Sequence, residues 1–488
     1  MKKIALILAL IAVLAACTKD ITKLNIDPKH PVSVPSYTLF TSAEHALSKT
    51  LTSSNVNLNI FRLIAQQWEE TTYTDEANYN LKSRAIPDNV WTAMYDTVLM
   101  NLQQAKKVIP TDVSDPVQQK NEIAIADILQ VYAYYYLITT FGNIPYSQAL
   151  DITKPFPKFD DAKTAYYDLL TRLDADIAAL NTSGGSYGSA DIIYGGDPAR
   201  WKLFADTFKL KMGITIADSD NATAKSVVES AFSAGVFTSN ANNAIFAFLG
   251  TTPNTNPIWV DLVQSGRQDF VACSTILGYL QPGGAIPPDP RLPYYFTVNN
   301  AGIYAGGAPG ANVNFGANSK PSGPLLVPSS IGKITNPDFP GDLLDYSETE
   351  FILAEAASRG YSVGGTADTH YAAGVIASET FWGVSDAAAA AYLAQPNVAF
   401  ATATGGTPLN RIGLQKYLAL YNRGWDAWNE QKRFDYPVLL APPTATSAYP
   451  FRFTYPVNEQ EVNVVNYNAA AAAIGGDLVS TRLFFDTK

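Results

Sequence analysis

The sequence predicts a mostly α-helical protein: a body of paired helices carrying a loop-rich layer with short β-strands. Three observations lead there. Asp115-Pro116 and Asp197-Pro198 each set a capping carboxylate before a proline at the first helical position, where the missing N–H costs nothing. Short connections separate successive amphipathic runs, as in stacked antiparallel helix hairpins. Residues 281–341 hold 11 prolines, 10 glycines and only five Asp, Glu, Lys or Arg residues, and no long helix runs through such a stretch.

In chain order, Lys2 and Lys3 form a basic start and Ile4 to Ala16 an apolar run too short to cross a bilayer. Leu14-Ala15-Ala16-Cys17 reads as a lipobox. Residues 1–16 are thus expected to be a lipoprotein signal peptide, with the membrane anchor a lipid on Cys17. Residues 17–35 are polar with three prolines and suit a tether, and residues 36–488 form one domain. Helices are expected near 37–53, 55–70, 88–108, 116–141, 161–180 and 198–217. Asn221 should cap the next, ended by Gly235. Ser347-x-x-Glu350 reads as a capping box for 347–359, which Gly360 terminates. Further helices follow at 368–382, opened by Asp368, then at 385–394 and 410–434. Helix starts near 88, 115, 160, 197 and 221 keep no fixed interval, so a regular repeat array is not predicted.

Composition excludes several classes. Without the leader, 32 basic side chains face 44 acidic ones, a net charge of −12, which disfavours nucleic acid and anionic lipid head groups. No second hydrophobic run after Cys17 reads as membrane-spanning. Cys273 is then the only free thiol, inside an apolar stretch that suits a buried small hydrophobe. His30, His45 and His370 form no metal-ligand spacing, so neither a histidine-based metal site nor a conventional triad is expected, and no cofactor is assigned. Gly184-Gly185-Ser186-Tyr187-Gly188 fits a nucleophile elbow in letters only, because it follows a helix and precedes a loop. Asp218-Ser219-Asp220-Asn221 lacks the glycine and distal glutamate of a calcium loop. A glycosidase pair of carboxylates cannot be selected by spacing, and no catalytic residue is assigned.

Candidate ligand contacts come from rings mixed with polar groups in loops, since sugars stack their C–H faces on aromatics while amides and carboxylates bond their hydroxyls. Tyr73, Asp75, Asn78 and Tyr79 follow the run containing Trp68. Trp259, Arg267, Asp269, Tyr304 and Trp382 lie in or beside the loop-rich half. Ordinary packing is the competing account for each, and it is preferred for the cluster Tyr132, Tyr134, Tyr135 and Tyr136 in mid-helix.

Over its full length the chain resembles the SusD/RagB family of surface lipoproteins. The blocks that carry the likeness are Leu24-Asn25-Ile26-Asp27-Pro28, Phe141-Gly142-Asn143-Ile144-Pro145-Tyr146, Gly196-Asp197-Pro198-Ala199-Arg200-Trp201 and Asp289-Pro290-Arg291-Leu292. Later ones are Glu350 to Ala356, Gln415-Lys416-Tyr417, Glu430 to Pro437, Tyr455-Pro456 and Asn463 to Tyr467. The resemblance implies tetratricopeptide-like helix pairs, a ligand face of loops and short strands, and no enzymatic activity. It also implies an outer-membrane, surface-exposed location and a partner, a SusC-like TonB-dependent transporter, to which an oligosaccharide or peptide is delivered. The alternatives are a lipid-anchored glycoside hydrolase and a scaffold without ligand.

Overall fold

The computed structural model describes residues 34–322, 332–403 and 406–488. The expected signal peptide, Cys17 and nearly all of the expected tether lie outside the described residues. The longer helices are α1 (Ser36–Thr52), α2 (Met100–Asp112), α3 (Pro116–Phe141), α4 (Ala162–Ala179), α5 (Pro198–Thr215), α6 (Asn221–Ala234), α7 (Tyr346–Ser358), α8 (Ala367–Phe381), α9 (Asp386–Leu393), α10 (Pro408–Ala419) and α11 (Gly424–Phe434). Helices α3 and α4, α5 and α6, and α7 and α8 pack as sequential pairs, while α1 lies on α2. This is the expected mostly helical, paired-helix body.

Helix α3 is the axle. Asp115 accepts the Val117 N–H at its start, and Pro116 needs no partner there. It is apolar and long enough to cross a membrane by composition, against the reading that no such run follows Cys17, but 89% of its most apolar window is buried inside the protein. All four tyrosines from Tyr132 to Tyr136 are buried. Tyr136 donates to Asp426 Oδ1 at 2.6 Å, where a buried ionic network begins. Lys211 reaches Glu348 at 2.9 Å and Asp426 at 2.6 Å; Arg423 reaches Glu348 at 2.7 Å and Asp426 at 2.9 Å. A second knot joins Arg433 to Glu430 and Glu355, each at 2.7 Å. Helices α3, α5, α7 and α11 are thus tied through charges that would be costly to leave unpaired. A smaller apolar cluster around Phe351, Tyr371, Tyr392 and Ile412 joins α7 to α10.

Among the described residues, the strands form three antiparallel pairs. Strand β1 (Trp68–Glu70) lies on β5 (Phe270–Ala272) with Glu69 opposite Val271; β2 (Ile144–Pro145) lies on β3 (Phe159–Asp160); β4 (Ala244–Phe246) lies on β6 (Gly341–Leu344). Between residues 281 and 341 the described backbone holds short turns such as Leu292–Tyr295. Arg291 pins this layer to the helices: it pairs with Asp289 at 2.7 Å and Glu379 at 3.1 Å and donates to Gln415 Oε1 at 3.0 Å.

Several sequence expectations shift. The helix expected at 55–70 is helical only over Phe61–Ile64, because Gln66 takes φ +52° and Trp68 enters β1. The run at 410–434 divides at Asn422, φ +69°, into α10 and α11. Asp220, not Asn221, caps α6 by accepting the Thr223 N–H. Asp345 caps α7, while Ser347 donates to Gly374 and Glu350 faces His370, so the capping box is not formed. Thr366, not Asp368, caps α8.

Candidate functional site

Strands β1 and β5 end at one edge, and the loops leaving them build a single polar surface with rings on it. Thr71 carries the chain out of β1: its N–H donates to the Asp269 carbonyl at 2.9 Å, its hydroxyl to the Gln268 carbonyl at 2.6 Å, and its own carbonyl accepts the Val313 N–H at 3.0 Å. Three segments distant in sequence therefore meet at Thr71. They enclose an open cavity of about 440 Å³ lined by Thr71, Thr72, Gln268, Asn312, Asn314 and Phe315, among others. Lys320 Nζ sits 4.9 Å from the Phe315 ring centre.

Tyr73 stands at the tip of the first loop with 64% of its surface exposed. An aromatic ring held out in water keeps apolar surface exposed at a free-energy cost that a stacked ligand would relieve. Asp75, also exposed, accepts from Asn80. Arg267 and Asp269 pair at 2.5 Å beside this surface, on exposed and half-exposed side chains, and both charges act on Asp261, two residues after Trp259. Trp259 is half-buried behind Asn256, whose side chain caps its short helix. Tyr304 is half-buried against the core, its carbonyl held by Gln281 at 3.1 Å.

The remaining candidates, Trp68, Trp382, Asn78 and Tyr79, are buried in this structure. Trp68 donates its indole N–H to the Tyr421 hydroxyl at 3.1 Å under the Arg62 guanidinium. Trp382 packs 4.8 Å from the Tyr295 ring. Asn78 ties three loops, donating to Thr74 and Gly310 at 2.8 Å and accepting from Thr444 at 2.7 Å. Tyr79 packs edge-on to Tyr449.

Two carboxylates beneath the loops complete the support. Glu69 accepts the Gly310 N–H and Glu70 the Ala77 N–H, each at 2.9 Å. Burial pushes Glu69 up to about 8 and Glu70 up to about 9, so both hold a proton more readily than a free carboxyl. Phe315, Asn312, Asn314 and Gln268 were missed from sequence; the run Asn312-Val313-Asn314-Phe315, a ring among amides in a glycine-rich stretch, was the signal. Cys273 is fully buried and its thiol pushed up to about 12 by that burial, consistent with a core residue. Ser186 donates to the Gly196 carbonyl in a loop, not on a strand-to-helix elbow. Among the described residues, no three His, Cys, Asp or Glu side chains converge as metal ligands.

A family model described as "Starch-binding associating with outer membrane", SusD-like, matches residues 28–456. No curated protein matches the sequence. Among solved structures, a chitin-binding protein superposes with a TM-score of 0.77 at 25% identity, covering 93% of this chain and 100% of its own. A chitin-binding SusD homolog from Flavobacterium johnsoniae gives 0.75 at 22% identity, covering 93% and 98%. A SusD homolog from Parabacteroides distasonis gives 0.76 at 21%, again covering 93% and 98%. The chain belongs to the SusD-like family of outer-membrane-associated glycan-binding proteins, whose members bind without catalysing and typically pair with a SusC-like transporter.

Proposed function

We propose that this protein captures an oligosaccharide on the Tyr73 surface and passes it to its own SusC-like TonB-dependent transporter. The observation that carries the reading is an exposed ring, Tyr73, beside a polar cavity holding a second ring, Phe315, both on loops pinned from below by buried side chains. Such a surface offers stacking faces and amide or hydroxyl partners with little ordering cost on binding. Arg267 and Asp269 supply a paired charge at its edge, and Trp259 stands behind them. Cys17, lying outside the described residues, is the proposed lipid attachment, which places the body on the cell surface as a hinged cover. Binding must stay weak enough for release inward, because a ligand that favours only the captured state would not be delivered.

The two relatives with chitin-binding names make N-acetylglucosamine oligomers the first probes, beside starch, cellulose and xylan oligomers. Calorimetry of the purified protein should find one oligomer class that binds. Tyr73→Ala should weaken it about tenfold, or ~1.4 kcal/mol, with an unchanged circular dichroism spectrum. Equal binding by Tyr73→Ala and Phe315→Ala variants would remove the glycan face from this surface. Transporter capture with no glycan affinity across the panel would favour a scaffold.

A further inference from the structure

A larger groove lies elsewhere on the body, of about 1240 Å³, between the first half of α1, the start of α3, the loop 184–192 and residues 246–254. It shares no lining residue with the Tyr73 cavity. Its chemistry is lopsided. Asp112 and Glu122 line it, with hydroxyls such as Ser42 and Ser189, and among the described lining residues there is no lysine or arginine. Tyr37 and Leu249 stand at it, each 54% exposed.

Glu122 is the telling residue. It is 2% exposed, yet it lines the groove. One carboxylate oxygen accepts from Gln118 at 2.8 Å; the other, Oε2, is buried with no hydrogen-bond partner. Such an atom carries a desolvation cost that a donor entering the groove would relieve, most fully a cationic one. Burial also raises the affinity of this carboxyl for a proton, as expected where a positive partner is missing. Asp112 adds a second carboxylate, turned toward the Ser36 N–H at 2.7 Å.

We propose that this groove binds an oligosaccharide bearing free primary amines, with Glu122 taking an ammonium, the serine and threonine hydroxyls bonding the sugar hydroxyls, and Tyr37 stacking on a ring face. Hydroxyl lining and an exposed tyrosine fit a sugar better than a cationic peptide, and the absence of lysine and arginine from that lining fits an amine better than an acidic sugar.

The test is calorimetry of the purified protein at neutral pH with a glucosamine hexasaccharide, its fully N-acetylated counterpart and trilysine as probes. The amine oligomer should bind saturably, weaken as salt is raised, and lose at least tenfold in affinity in Glu122→Gln. Binding of this probe should persist in Tyr73→Ala, which separates it from the glycan surface proposed above. Should Glu122→Gln melt early, Tyr37→Ala at the exposed rim replaces it, with a severalfold loss expected. Absence of saturable binding, equal affinity of the Tyr37→Ala variant and the normal protein, binding of the acetylated oligomer by Tyr73→Ala as tight as that of the amine oligomer, or preference for trilysine would each overturn the proposal. So would displacement of the oligomer by a synthetic peptide of residues 20–33, which would make the chain's own leading segment the occupant.

Discussion

Single residues explain why the sequence blocks shared with the family say so little about ligand. Gly196 takes φ +76°, and a Cβ there would lie 2.2 Å from the Gly188 nitrogen; Asp197 beside it caps α5 by accepting the Ala199 and Arg200 N–H groups. Asn143 accepts the Ala162 N–H at the start of α4, and Asp289 and Arg291 pin the loop layer. Each of these positions serves the scaffold: Gly196 and Asp197 meet a local geometric demand, while Asn143 and Arg291 tie segments that are apart in sequence. Gly424 makes the same point by an unanticipated route. It opens α11 where that helix crosses Phe61–Ile64, and a Cβ there would meet the Arg62 backbone nitrogen at 2.5 Å. Arg62 cannot yield, since its guanidinium donates to the carbonyls of Ser53 at 2.7 Å and Thr52 at 2.8 Å. Gly424→Ala should therefore destabilise the protein by about 1–3 kcal/mol in denaturant titration. Gly278→Ala, whose Cβ would meet open space in a short helix, should be neutral or stabilise by roughly 0.5–1 kcal/mol; equal effects would refute the steric account.

At the scale of elements, most long helices are legible in the sequence and the strand positions are not. Helix α3 begins where the capping Asp115-Pro116 pair predicts and runs over the expected 116–141, because helix signals are local. Strand β1 is set by a partner two hundred residues later, and non-local pairing leaves little mark on a seven-residue window. The binding surface inherits that difficulty: Tyr73 was found because a ring stood among polar groups, while Phe315 and Gln268 became neighbours only through the β1–β5 pairing. Strand β1 also makes the surface pH-sensitive. Glu69 and Glu70 have folded pKa values raised to about 8 and about 9, against roughly 4.3 in an unfolded chain. A raised carboxyl favours the folded form fully below the unfolded value, and that contribution is lost as pH climbs toward 8 and 9. Hydrogen exchange in residues 71–80 and 306–313, corrected for intrinsic rates, should speed up between pH 5 and 9. Glu70→Gln keeps an acceptor for the Ala77 N–H and should flatten the dependence in 71–80; a wild-type profile that is already flat would discard it.

For the whole molecule, the same scaffold bears on how the protein stays at a membrane. Among the described residues, the helix whose composition would allow it to span a bilayer is the buried axle α3, and the net charge of −10, or −12 if the expected leader is removed, opposes contact with anionic head groups. If Cys17 carries the lipid, attachment and ligand binding are separable, and a single substitution divides them. Cells given an alkyne fatty acid should label the normal protein, and fractionation should place it with membranes. Cys17→Ala should go unlabelled and appear in the medium in a strain lacking the transporter, while its calorimetric affinity for the glycan stays that of the parent. Mass measurement of the released chain distinguishes true loss of lipid from an uncut leader acting as a substitute anchor. Retention of an unlabelled, fully processed variant on transporter-free cells would mean that the body itself holds the membrane, and the hinged-cover reading would fall with it.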